Sequence, residues 1–224
     1  PALVASCISF IVFVIIIHTG LVPVWKLPAY QYNGAFDFVY AVTFAIVATI
    51  VGWGFIYCTK MIKAFFEKLH MPIYISTLVG GLILGTIAYH YPLTRYFGHH
   101  QINELLNRSS SINLLVAILI FKIIAISVTV TSGWRGGFII PLFFVGTTLG
   151  LILHFYFPSI NQPLAIVCCM AAINSCVTRT PMSTAILLVT LTGFGYFTPI
   201  LLASLTGYFL APRIPFIKSQ LVKE

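Results

Sequence analysis

Four uninterrupted apolar runs, at residues 1–17, 38–58, 73–91 and 112–131, constrain this chain more than any other feature. Each approaches the length of about 20 residues that carries a helix through a bilayer. No water in hydrocarbon answers a backbone N–H or C=O, so a spanning segment must satisfy its own hydrogen bonds, as a helix does. The pattern predicts an all-α membrane protein. The charge count excludes a soluble one: 7% of the residues are charged and 59% hydrophobic, against about 25% charged in a soluble domain. Pro1 lies inside the first run, without a start methionine or a basic stretch before it, so no signal-peptide pattern is expected there. It reads as part of a longer protein.

Beyond residue 131 the pattern changes. Residues 138–157 are interrupted by Pro141, Gly146 and Gly150, and the runs 163–177, 181–193 and 197–211 are short, ending at "VTRTP", "TGFG" and "APRIP". Such segments cannot cross upright, so they read as broken or re-entrant helices whose ends lie inside the protein. Loose backbone at membrane depth persists where protein buries it or an ion pathway uses it. The expected architecture is a bundle of tilted and broken transmembrane helices. Gly81–Gly85 and Gly146–Gly150 both have the GxxxG spacing that permits close helix approach. Residues 92–111 and 18–37 read as loops, the first with a short helix. Trp25, Tyr30 and Tyr32 would mark the membrane interface in the second.

The net charge of +8 comes from scattered cations, with no basic stripe interleaved with aromatics, so nucleic acid is not a partner. Lys60, Lys63 and Lys68 after the second run, and Arg213, Lys218 and Lys223 at the end, place those segments and the C-terminus in the cytoplasm by the positive-inside rule. That makes the chain a multi-pass integral membrane protein of the cell or inner membrane. The five cysteines lie in or beside apolar runs without ligand spacing and read as small buried hydrophobes. His99 and His100 lack a second pair, so neither a metal nor another cofactor is expected.

The stretch "SGWRGGFIIP", Ser132 to Pro141, carries the chemistry. Gly136 and Gly137 lack Cβ atoms and let another group approach the backbone. Pro141 near a helix start costs little, because its missing N–H would be unpaired there. A helix beginning near Phe138 would present unpaired N–H groups and about half a positive charge, which is an anion site. The plain alternative for the glycine pair is a tight turn between two spans.

"SGWRGGFIIPLFFVGTTLG" resembles the GGxFxP signature of the chloride channel (CLC) family of anion channels and proton-coupled anion exchangers. "AAINSCVTRTPMSTAILLVTLTG", Ala171 to Gly193, is similar to the family's later helix–break–helix segment. Lys122 falls where the family often has a basic residue upstream of the glycine motif. The resemblance implies the second half of a pore built from two inverted halves. The whole of 1–224 would then be membrane domain, its upstream half missing and no soluble domain present. It implies a homodimer that draws on helices equivalent to the first run and to 163–193, and transport of chloride or another halide by conduction or proton-coupled exchange. It also implies an anion site at Gly136, Gly137, Phe138, Ile139, Ile140 and Pro141, with the backbone N–H groups of Phe138 and Ile139 as ligands. The family's usual phenylalanine in that motif is Ile139 here. Its tyrosine hydroxyl at the central site has Ile217 as its nearest match. The family's serine-bearing anion motif and gating glutamate motif belong to the first half and are not found in this chain.

Arg135, Lys122 and Arg179 approach the interior and would attract anions. The plainer reading has the arginines snorkel at breaks and Lys122 cap carbonyls in the bundle. None of the four acids lies inside an apolar run. Two rival functions are an intramembrane enzyme, with Ser132 and His154 as the best available couple, and a non-conducting membrane scaffold.

Overall fold

The computed structural model describes residues 8–9, 11–12, 15–16, 23–25, 27–28, 34, 36–70, 72–107, 110–134, 136–214 and 216. The described parts of the first run are helical and exposed. The described helices that follow are α1 (Phe36–Lys68), α2 (Ile73–His90), α3 (His99–Asn107), α4 (Ile112–Thr131), α5 (Ile139–Tyr156), α6 (Gln162–Thr178), α7 (Pro181–Thr192) and α8 (Phe197–Phe209). No strand occurs among the described residues. Helices α1, α2, α4 and α5 are long and apolar enough to span a membrane.

Helix α1 has 33 residues, about 50 Å at 1.5 Å per residue. That exceeds the hydrocarbon thickness of about 30 Å. The helix therefore runs on past the apolar run 38–58, and the lysines expected after the span lie on its last turns. There Lys63 and Glu67 pair at 3.7 Å across one turn, both exposed.

The centre of the molecule is α6. Every residue from Pro163 to Val177 is buried, enclosed by α1, α5, α7 and α8. At 17 residues it reaches only about 25 Å, and the surrounding protein supplies what a bilayer would not. Small residues make the close packing possible. A Cβ at Gly146 would lie 2.5 Å from the Cα of Met170, and one at Gly150 would lie 2.5 Å from the Cα of Ile166. Across α8, a Cβ at Gly207 would lie 2.4 Å from the carbonyl oxygen of Ala172.

These contacts correct the expected interruption of residues 138–157. The segment is one continuous helix. Pro141 sits in its first turn, where no N–H is needed, and the two glycines are its contact with α6. The later breaks are real. Helix α6 ends at Arg179 in the left-handed conformation (φ 58°), and α7 ends at Gly193 (φ 107°). The loop 92–111 does hold a short helix, α3, after a 3-10 turn at Pro92–Thr94.

Trp25 departs from its expected interfacial place. It is completely buried, with its ring 5.7 Å from that of Phe143. Its indole N–H donates to the carbonyl of His99 at 3.3 Å, and its backbone N–H donates to Leu191 at 3.0 Å. With both donors satisfied, an indole is buried without polar cost. Tyr30 and Tyr32 lie outside the described residues.

Candidate functional site: an uncapped helix terminus on a cavity

Helix α4 ends at Thr131, and the chain turns before α5 begins at Ile139. Helix α2 clamps this connection. The Thr77 hydroxyl donates to the Ser132 carbonyl at 3.0 Å, and the Trp134 indole donates to the Thr77 carbonyl at 3.2 Å. Gly80 lets the helix come this close, since a Cβ there would meet the Ser132 Oγ at 2.4 Å. The turn residue is Gly133, with φ +96°. Gly136 and Gly137 do not have positive φ. A Cβ at Gly137 would meet nothing within 4 Å, and one at Gly136 only the Thr129 Cγ2 at 3.9 Å. Neither backbone conformation nor packing requires glycine at these two positions. What glycine leaves there is clear approach to the start of α5.

That start is uncapped. Phe138 is the N-cap residue, one position before the helix proper, and no side chain caps it. The first turn closes with Leu142 N–H donating to the Phe138 carbonyl at 3.0 Å. The N–H groups of Phe138, Ile139 and Ile140 meet no acceptor among the described residues, as the geometry of a helix start dictates. The Phe138 ring turns toward the bundle and packs edge-on against Phe216 at 5.1 Å, and Phe216 lies 5.3 Å from Phe55.

A cavity of about 950 Å³ opens in front of this terminus, lined by α2, the Thr94–Phe97 segment, α4 and the motif. Of the residues singled out in the sequence, Lys122, Gly136, Gly137, Ile139, Ile140 and Pro141 line it together. The wall is mainly apolar and carries cations. Lys122 is 1% exposed. Its Nζ donates to the carbonyls of Thr94 and Tyr96, both at 2.9 Å, and lies 4.8 Å from the centre of the Phe144 ring. Arg95, which the sequence reading did not single out, also lines the cavity, and its Nε donates to the Ala88 carbonyl at 3.0 Å. No motif marks Arg95 or Phe216, and only the folded chain brings them to the site.

Arg179 lies elsewhere. It ends α6, and its guanidinium donates to the Pro212 carbonyl. Arg135 and Ile217 lie outside the described residues. Ser132 is the C-cap of α4, whereas His154 lies in the last turn of α5 and is hydrogen-bonded to the Ile160 carbonyl at 3.0 Å. They form no catalytic couple. Among the described residues no group of three His, Cys, Asp or Glu side chains could hold a metal ion.

Fold and site define an all-α integral membrane protein in which one helix start opens, uncapped, onto a mainly apolar cavity whose wall includes Lys122 and Arg95. The voltage gated chloride channel model matches residues 1–212, and the chain belongs to that family, the CLC proteins. It is 28% identical over 208 residues to an uncharacterized protein of Methanocaldococcus jannaschii, a match covering 93% of this chain and 52% of that protein. It is 30% identical over 168 residues to YfeO of Escherichia coli O1:K1 / APEC, which is named as an ion-transport protein, covering 72% of this chain and 40% of that one. The fold is similar to a crystal structure of a CLC-type fluoride/proton antiporter (TM-score 0.70, 19% identity, 84% of this chain and 47% of that one). It is similar also to a slow cyanobacterial Cl⁻/H⁺ antiporter (TM-score 0.69, 18% identity, 84% and 46%). The chain thus spans about half the length of the relatives it matches.

Proposed function

We propose that this chain is the second half of a CLC-type membrane domain and supplies one side of a pathway for chloride or a similar small halide. The observation that carries this reading is the uncapped start of α5 facing a cavity lined by the buried Lys122 and the exposed Arg95. An anion approaching across Gly136 and Gly137 meets the N–H groups of Phe138 and Ile139, and the Ile140 N–H extends the same cradle. Pro141 fixes the helix start without offering a donor. Partial charges at a helix end attract an anion yet release it, as permeation requires. Phe216 packs against Phe138 and so borders the motif. In this reading the backbone N–H groups are the main ligands.

A pore of this kind needs facing groups from the other half. Without them the free N–H groups and the cavity meet lipid, at several kcal/mol for each unsatisfied group. The functional unit is then this chain with an upstream half, paired as a homodimer in the cell or inner membrane with its C-terminus in the cytoplasm. Helix α6 is too deeply enclosed to join a dimer surface, so within 163–193 that role falls to α7, where Met182 and Ile186 are both 62% exposed.

The test is chloride and fluoride efflux from vesicles holding residues 1–224 alone, or co-assembled with the upstream half. The expected result is selective efflux only from the assembled protein. Robust selective efflux from 1–224 alone would show this chain to be a complete transporter and overturn the two-half reading.

A further inference from the structure

The turn at Pro92–Gly98 packs beside α4, and its Thr94 and Tyr96 carbonyls meet Lys122, the eleventh residue of that helix. Irregular backbone packed among membrane helices needs partners for its carbonyls. Lys122 provides them: its ammonium answers Thr94 and Tyr96 at 2.9 Å each and spends its remaining side on the Phe144 ring. The turn is costly in itself. Tyr96 has φ 55°, rare for a residue with a side chain, and Gly98 has φ 97°. Gly98 also sits against Phe144, where a Cβ would come within 3.0 Å of that residue's own Cβ. Lys122, Gly98 and Phe144 therefore join three elements at one point: α4, the turn, and α5, whose start carries the free N–H groups. Tyr96 and Phe97 of this turn form the cavity wall.

We propose that Lys122 is a positioning residue of the pathway. Its ammonium pins the strained Thr94–Gly98 segment to α4 and α5, fixing the wall that faces the N–H groups, and it does not itself hold the transported anion. Its donors are committed to backbone carbonyls. The inference rests on the reading of this cavity as an anion pathway, but its mechanical part can be tested apart from transport.

The experiment compares the assembled transporter with its Lys122→Met, Gly98→Ala and doubly substituted forms. Chloride efflux and backbone amide exchange are both measured. Methionine keeps the length and removes the donors. Alanine at 98 disturbs the same turn and leaves the charge in place. The N–H groups of Thr94 and Arg95, bonded within the turn to Tyr91 and Pro92, report its closure. Lys122→Met is expected to speed their exchange at least tenfold, leave the amides of α6 unchanged and cut efflux at least tenfold. Gly98→Ala is expected to do the same to a smaller degree. Because both act through one turn, efflux from the double variant should fall within about threefold of the lower single variant, rather than to the product of the two losses. Lost efflux with unchanged exchange at Thr94 and Arg95 would assign Lys122 to direct action of its charge and overturn the proposal. So would a well-folded Gly98→Ala protein with normal efflux, which decides the matter even if Lys122→Met does not assemble. Normal transport by Gly137→Val would instead strike the pathway reading and leave the exchange result standing.

Discussion

Two glycine pairs ten residues apart serve opposite ends. Gly146 and Gly150 lie against the backbone of α6, where added Cβ atoms would sit 2.5 Å from Cα atoms. Gly136 and Gly137 have at most one distant neighbour and no positive φ. The first pair lets two helices touch; the second leaves a helix start open. A third pair, Gly81 and Gly85, has the same spacing as Gly146 and Gly150, yet a Cβ at Gly81 would meet only Trp134 at 3.6 Å and one at Gly85 would meet nothing. Spacing alone thus says that close approach is possible, and only the partner helix says whether it happens.

The comparison is broken most severely at the packed pair. Valine at Gly146 or Gly150 would drive a side chain into main-chain atoms that no rotamer change can move. Overpacking ordinarily costs about 1–3 kcal/mol, and a backbone clash on the central helix should exceed that. The expected outcome is loss of folded protein in size-exclusion chromatography. A monodisperse, thermally normal Gly146→Val protein would mean that α5 and α6 do not meet as described.

Next in size is Gly137→Val in the assembled protein. The residue neither packs nor adopts a glycine-only conformation, so folding should be unaffected while the new side chain obstructs the N–H groups behind it. Efflux should fall at least tenfold, about 1.4 kcal/mol in barrier terms, at an unchanged melting temperature. Retained efflux would remove the motif from the pathway.

Arg135→Gln sharpens the electrostatic side of the open pair. A charge near the motif raises local anion concentration, so conductance should drop by about two- to threefold, and the difference should shrink as salt shortens the Debye length. A loss indifferent to ionic strength would give Arg135 a structural role.

The smallest effect is expected at Gly85→Ala. Alanine is the better helix former by about 1 kcal/mol and clashes with nothing here, so the melting temperature should hold or rise slightly. A clear fall would reveal another segment seated on that face of α2.

Much of the site was legible because it is local. The helix start at Phe138, the tolerance of Pro141 and the break at Arg179–Pro181 follow from rules spanning a few residues. The reach of Gly146 and Gly150 was legible as a possibility. Their use was not, because Met170 and Ile166 lie on another helix. Pro141 and these glycines were read as interruptions of a helix that is continuous, since glycine and proline signal breaks only on average and packing overrides the average. Trp25 was misplaced for the same reason: it stands in a loop between Pro23 and Pro28, and its burial depends on Phe143, His99 and Leu191.

By itself the sequence determined that this protein lives in a membrane as helices, and that one helix begins bare at Phe138. Both follow from local physics: apolar length, scarce charge, and the unpaired N–H groups of any helix start. The tertiary structure decided which glycines touch a neighbour, that Gly133 rather than Gly136 or Gly137 makes the turn, and that Lys122 turns to the carbonyls of Thr94 and Tyr96. Those outcomes depend on atoms brought together from distant parts of the chain, and no periodicity in the sequence encodes such distances.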